Sequence, residues 1–550
     1  MTMWNFQSKK VIGWMLITSI CIGALWNYFN DSRPHNPRIF GPPIKTQWKP
    51  VGARAAGQHG YDVIPEPVTW HAIHVDVANA DSVWGVAAPM YELDWVAEPD
   101  YFIGTGPLLD NRGNLYFTSN FYHGERVDLV AIDAKTGERR WTVPEVGEMS
   151  TGGPIILNDP DNPGSQVIYL AGPERIMAIR QDGSILWSND TGIKVLEATD
   201  SDATKFQHFN YHPATDSLVT VTKSGGLYAY SRKTGSLVAP VGQLPGAPAV
   251  SDKGTKIPGL VLDRVDPLMD KAFGKTADGL SLFSSAVNYI YGGGGVVTNY
   301  FSVDPDTSRI YIAATAPDAE DGKKDGRSEI GAIYVLDLVG DTQDGLEFKV
   351  LNRMTFQGGT GSTPALSADG HRVYVSDNDG HVIALDAELN ERWRVNVGEP
   401  LVGSITVAAD NNEIYAVTAN DVFQLIDHGD FGAISWVADL NGFDGYANVD
   451  VQSNGLTATV TANGVVVMIG GGKEVFGRTI MLYVGMGLLD RETGKLRYFA
   501  EGREDSLAMS VVAADGSIYV GHSPLRRAVG KALFPDLTAD ITGGVARFKP

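Results

Sequence analysis

One hairpin recurs along this chain, and it constrains the fold more than any other feature. Leu129–Val143 reads LVAIDAKTGERRWTV: Val130 and Ile132 alternate along a first strand, Lys135–Gly137 turns the chain, and Trp141 sits in a second strand. Two such strands joined at a glycine form an antiparallel hairpin. Worn copies follow at Met177–Trp187 (MAIRQDGSILW), Leu227–Val238 (LYAYSRKTGSLV), Val382–Trp393 (VIALDAELNERW) and Leu488–Tyr498 (LLDRETGKLRY). Gln424–Trp436 (QLIDHGDFGAISW) is a longer version. Trp95, Trp141 and Trp187 are 46 residues apart each time, and Trp393 to Trp436 is 43. A period of about 40–45 residues, holding about four short strands, predicts a β-propeller.

The repeats predict an all-β chain forming a single propeller of eight four-stranded blades, with seven as the alternative count. The blades are expected at Ile103–Val143, Gly152–Ser188, Phe206–Ala239, Val296–Phe356, Gly361–Val397, Val402–Val437 and Tyr446–Phe499. The eighth is assembled from both ends. Tyr91–Ala97 (YELDWVA) reads as an outer strand with no blade before it, while Ser510–Gly521 and Gly543–Lys549 read as a blade lacking one. Pairing them closes the ring and removes its exposed edges.

Bulk properties narrow the function classes. The net charge is −21, from 65 acidic and 44 basic residues, which argues against nucleic acid as a partner, since that needs a basic footprint. Cys21 is the only cysteine and falls in the apolar N-terminal stretch, so the propeller has neither a disulfide nor a cysteine metal site.

Lys9 and Lys10 precede the uncharged run Val11–Trp26. Residues 1–30 are read as an uncleaved membrane anchor in preference to a cleaved signal peptide, because the run offers no good cleavage site. With the positive charges ahead of the apolar run, the body is expected outside the cytoplasm. For a bacterium this is an inner-membrane anchor with the propeller in the periplasm, or a secreted or periplasmic protein after signal cleavage. Residues 31–68 are polar and Pro-rich and read as a linker, leaving 69–550 for the propeller.

The long insertions are expected at 119–128, 242–295, 316–331, 470–479 and 522–542. In an up-and-down blade all of these emerge on one face, and loops on a rigid scaffold carry function. Two loops bear candidate chemistry. His123, Glu125 and Arg126 lie on one, and His522, Arg526 and Arg527 on another, in neighbouring blades of a closed ring. A histidine beside a carboxylate can act as a general base, and arginines can clamp an anion; a polar rim without catalysis is the plainer reading. Asp318, Asp321 and Asp325, with Glu320 and Glu329, could offer oxygen ligands to calcium, or form an ordinary solvated loop. His208 and His212 are read as part of a strand and turn in preference to a helical metal pair. No G-x-S-x-G, H-E-x-x-H or Walker pattern is present.

The pattern A-x-D-x-x-T-G-x-x-x-W, met by Ala131, Asp133, Thr136, Gly137 and Trp141, resembles the tryptophan-docking repeat of the pyrroloquinoline-quinone (PQQ)-type propellers. The similarity extends over roughly residues 70–550. That superfamily includes quinone-dependent alcohol dehydrogenases and a non-enzymatic scaffold that helps assemble outer-membrane proteins. The resemblance implies that Trp95, Trp141, Trp187, Trp393 and Trp436 lock neighbouring blades together. It implies a quinone only where the quinone site is present, and the adjacent cysteines that stack on the ring are missing here. The chain therefore reads as closer to the cofactor-free scaffolds: no cofactor is expected, calcium stays open, and PQQ is disfavoured. The expected function is binding or scaffolding of a protein or small-molecule ligand through the loop-rich face, with the membrane engaged through the N-terminus. The alternative is an oxidoreductase, lyase or hydrolase with a polar site at the same mouth.

Overall fold

The computed structural model describes residues 38–39, 42–44, 70–83, 85–103, 106–118, 128–146, 153–172, 174–193, 206–245, 257, 259–273, 283, 297, 299–316, 330–341, 345–360, 362–367, 369–401, 403–408, 412–440, 450–453, 457–475, 478–502, 510–523, 525–535 and 541–550. The segment read as an anchor thus lies outside the described residues. No helix among the described residues is long and apolar enough to cross a membrane.

Eight antiparallel sheets follow one another along the chain and form an eight-bladed propeller. Seven have four strands. The expected ring closure is present: Glu92–Ala97 pairs with Val545–Lys549, with Glu92 opposite Lys549 and Ala97 opposite Val545. Blade 8 is therefore built from both ends of the propeller. Within most blades the middle strands are buried and the outer strand is half-exposed; in blade 7 the outer strand is itself buried at Tyr498, Phe499 and Ala500. Asn114–Thr118 is fully buried, whereas Arg139–Val143 alternates toward solvent. Such burial on both faces suits the β-branched and aromatic residues that fill these strands.

Five blade junctions are built around an indole. The ring of Trp95, in blade 8, covers Gly137 in the turn of blade 1, and a Cβ there would lie 2.9 Å from it. Trp141 covers Gly183 of blade 2 at the same hypothetical distance. Trp187 against Gly235, Trp393 against Gly432 and Trp436 against Gly494 repeat the arrangement. Gly137 and Gly183 also have φ of +73° and +86°, a region that side chains disfavour. The indole Nε1 of Trp141 donates to the Gln181 carbonyl at 2.9 Å, and that of Trp393 to the Asp427 carboxylate at 2.9 Å. Each of the five indoles packs on a tyrosine of its own blade's second strand, as Tyr116 does on Trp141 with centroids 5.5 Å apart.

The loop expected at 470–479 is a correction. Gly464–Val475 and Arg478–Asp490 form one long hairpin through it. Its glycines are where the sheet is crowded: a Cβ on Gly485 would meet Phe499, and one on Gly487 would meet Ile469. Glycine marks close approach here, not a break in the strand. Blade 7 carries a further strand, for Arg38–Ile39 pairs with Tyr498 and Phe499 on its outer edge, inside the stretch read as linker. The insertion expected at 242–295 begins with the outermost strand of blade 3, Gly242–Gln243.

Two helices cover one mouth of the ring. Helix α1 (Gly259–Phe273) follows blade 3, and helix α2 (Leu525–Leu533) joins the second and third strands of blade 8. Val265, Met269 and Phe273 recur every four residues on α1, so one stripe of the helix is buried. They pack with Leu525 and Ala528 of α2 and with Phe102. In an up-and-down blade, connections between blades and loops between second and third strands share a face. That face, bearing both helices and the tip of the blade 7 hairpin, is called the upper face below.

Candidate functional site

The centre of the ring is occupied by the chain itself. Residues 70–87, just before the outer strand of blade 8, run round the inside of the propeller and meet its blades in order. Trp70 exchanges backbone hydrogen bonds with Leu109 of blade 1. The carbonyl of His71 accepts from Ile156 of blade 2, and that of Val77 from the side chain of Asn210 in blade 3. Val77 also accepts from Val303 of blade 4, Ala78 from Leu366 of blade 5, Ala80 from Val407 of blade 6, and Asp81 from Val460 of blade 7. Asn463 of blade 7 then holds Ala87 through both ends of its amide. The segment is an irregular innermost chain with isolated bridges, shared by seven blades.

Its composition follows from that position. Ala72, Ala78 and Ala80 are small where backbone packs on backbone, and Trp70 is completely buried. Val75, Asn79 and Asp81 have φ of +73°, +57° and +53°, bends that turn the segment into an arc. Asn and Asp adopt this region readily; a β-branched valine does so only under strain.

The side chains meet across the axis. The imidazole Nδ1 of His74 is 2.7 Å from Asp81 Oδ2, and its Nε2 is 3.4 Å from Thr363 Oγ1. Tyr300 stands between two histidines, edge to face with His74 at 4.8 Å and with His208 at 4.9 Å between centroids. His74, Asp81 and His208 are all buried. Burial raises the Asp81 carboxyl to about 6, against the pull of His74. Burial also lowers His71 to about 4 and holds His208 well below the usual imidazole range. Neither ring nitrogen of His208 has a hydrogen-bond partner among the described residues. The arrangement closes the axis with neutral or paired groups and leaves no open face on these imidazoles for a substrate.

His522 lies at the upper mouth but is 1 % exposed. Its backbone links Ile103 and Gly544, and α2 follows it directly. Burial and the Arg527 cation hold its imidazole down at about 3. Arg527 is likewise buried, while Arg526 is half-buried on α2. His123, Glu125 and Arg126 lie outside the described residues, as do Asp318, Asp321 and Asp325. His208 and His212 fall on the strand Phe206–His212, followed by a short turn of 3-10 helix. Among the described residues no three His, Cys, Asp or Glu side chains are grouped to hold a metal ion. Residues 70–87 were missed as a site because most of their partners lie more than a hundred positions away. The available signal was a pair of histidines and a pair of aspartates, His71, His74, Asp76 and Asp81, in a stretch belonging to no repeat.

Comparison with known proteins places this geometry. Curated protein sequences give no match. Among solved structures, a europium-containing methanol dehydrogenase is similar with a TM-score of 0.50 at 13% identity, over 88% of this chain and 98% of that one. The quinohemoprotein alcohol dehydrogenase ADHIIG from Pseudomonas putida HK5 has the same score and identity, over 88% of this chain and 80% of its own. BamB from Moraxella catarrhalis gives a TM-score of 0.35 at 12% identity, over 72% and 96%. The first two likenesses concern the fold. The sequence has no cysteine pair to stack on a pyrroloquinoline quinone ring, since Cys21 is the only cysteine. The described residues at the axis include the buried Asp81 carboxyl and Tyr300. The family model described as outer membrane protein assembly factor BamB matches residues 72–250 and 314–520, more than half of the sequence, and the chain belongs to that family.

Proposed function

We propose that the chain is an exported, membrane-tethered scaffold that binds a protein partner through the upper face of its propeller. A propeller of this family suits a binding or scaffolding role. The observation that carries the finer reading is the closed axis: residues 70–87 fill the ring from within, so the surfaces left for a partner are the faces and the rim. The helices α1 and α2 and the long hairpin of blade 7 give the upper face relief that the lower face lacks on those blades. Leu260, on α1, is 69% exposed, an apolar side chain presented at the same mouth. The apolar run Val11–Trp26 supports the tether.

In-cell photo-crosslinking tests this reading. A photoreactive residue at Leu260 or Asp263 is expected to give one defined protein adduct. The same residue at Lys135, on a lower-face turn, or at Glu347, near the lower end of the outer strand of blade 4, is expected to give none. Equal adducts from both faces, or a stoichiometric redox cofactor in natively purified protein, would overturn it.

A further inference from the structure

We infer that the upper face, with blade 7 foremost, is the side of the propeller that looks at the membrane. The inference rests on the tethered reading above and adds an orientation to it. Arg38–Ile39 is the first described strand, and it pairs antiparallel with the outer strand of blade 7, Arg38 opposite Phe499 and Ile39 opposite Tyr498. That outer strand, Leu496–Gly502, runs toward the upper face, where the connection to blade 8 begins. An antiparallel neighbour therefore runs from the upper face downward. The chain arrives at the propeller from above and continues below, where Ile44 is buried 3.5 Å from the Cβ position of Gly464, at the lower end of blade 7.

The length of the preceding chain turns this direction into a constraint. Between the segment read as the anchor, which ends at residue 30, and Arg38 there are seven residues, which span at most about 25 Å when fully extended. A blade strand of five or six residues is about 17–20 Å tall. Returning past the ring to its lower face would consume nearly the whole tether, whereas the upper face needs none of it. The hairpin Gly464–Asp490 rises on the same blade, with strands of 12 and 13 residues against five or six in most others. This upward extension stands on the blade where the tether arrives, whereas the equally long hairpin of blade 4, Ile330–Gln357, extends toward the lower face. The face is thereby turned toward the lipid surface, and the protein partner proposed for it above is one that lies in or on that membrane.

The test uses the full chain in vesicles of phosphatidylethanolamine and phosphatidylglycerol that carry a headgroup energy acceptor. In a Cys21→Ser background, single cysteines replace Leu260 or Asp263 on the upper face and Lys135 or Glu347 on the lower, each labelled with a donor. Transfer is expected to be roughly twofold higher from the upper pair, because the faces are about 20 Å apart. Ile39→Pro, which cannot sustain the strand pairing, is expected to keep membrane retention and lose that asymmetry. Retention with equal or inverted transfer overturns the orientation alone. Asymmetry that survives Ile39→Pro overturns the strand as its cause. A full chain that washes off the vesicles overturns the tether and the orientation together.

Discussion

The outer ring and the inner segment hold the molecule together by opposite strategies. The ring repeats one local solution, an indole from one blade laid over the glycine turn of the next. Three junctions do without it, between blades 3 and 4, 4 and 5, and 7 and 8. At one of these, Asn352 reaches across to the Glu388 carbonyl in place of the indole. The inner segment is unique: successive residues meet successive blades through contacts that are not repeated elsewhere in the ring. Redundancy makes the ring tolerant of local loss, whereas the inner segment couples all its contacts. A defect in the ring is a defect at one junction; a defect in the segment is felt by several blades.

Substitution can break this contrast. Trp70→Ala removes a wholly buried indole whose Nε1 donates to the Ile73 carbonyl at 3.1 Å. It is expected to cost about 3–5 kcal/mol in denaturant unfolding. Trp141→Ala, at a half-exposed ring junction, is expected to cost less. If the two losses are equal, the inner segment has no special standing. Gly183→Ala sharpens the ring side of the comparison. It combines φ of +86° with a Cβ 2.9 Å from the Trp141 ring, and is expected to cost about 1–3 kcal/mol. Protease sensitivity should appear at blades 1 and 2 only.

The pH dependence addresses the axis. The buried His208 ring stays neutral, whereas the unfolded chain protonates this residue below about pH 6.5. Its contribution is therefore intact above that pH and drains as pH falls, by about 1.4 kcal/mol per pH unit for one group. His71 acts in the same direction down to about 4, and Asp81 in the opposite one, losing stability as pH rises from about 4 to about 6. With His71, His208, His212 and His522 all held down by burial against the raised Asp81 and Asp421 carboxyls, acidification from neutrality is expected to destabilise the fold. His208→Phe keeps the aromatic contacts with Tyr300 and Phe301 and removes one protonating group. It should flatten the slope of urea midpoint against pH between 7 and 5; an unchanged slope would show that His208 is not responsible.

The smallest expected effect is also the most diagnostic of strain. Val75→Gly loses a buried side chain but relieves φ of +73°, and the two effects are expected to cancel within about 1 kcal/mol. Val75→Ala loses the side chain without relieving the bend and should be clearly worse. The gap between these variants measures what it costs to curve a segment around the inside of a ring.

How much of this was legible in the sequence follows from the same contrast. The blades were readable because Asp133, Gly137 and Trp141 interact within a hairpin or with the next copy of it, and repetition exposes such rules. The tyrosines at 116, 169, 374, 415 and 519, each after an aliphatic residue in a second strand, are a further regularity of this kind. Ring closure was readable because two incomplete blades complement each other. The inner segment was not, since Asn79 bonds the Pro364 carbonyl and Ala87 bonds Asn463, 285 and 376 positions away. No local pattern encodes partners at that distance. The blade 7 hairpin was misread because glycine ordinarily signals a break, whereas Gly485 and Gly487 of its second strand sit where Phe499 and Ile469 leave no room for a Cβ. The loops bearing His123 and Asp318 lie outside the described residues, so the loop chemistry expected from sequence is not part of the site built here.

The order in which the chain is made gives the inner segment one more consequence. Residues 70–87 leave the ribosome before any blade they will touch, and Glu92–Ala97 leaves some 450 residues ahead of its partner, Val545–Lys549. Early blades can form hairpins as they emerge, but the hub and the seam must wait for the last strand. Contacts of such long sequence separation form slowly, because the chain entropy between them is lost before they are made. During that interval the apolar hub and the unpaired edge of blade 8 are exposed, the condition under which chains aggregate. Maturation is therefore a single late event, and truncation near the C-terminus should release the hub as well as the final blade.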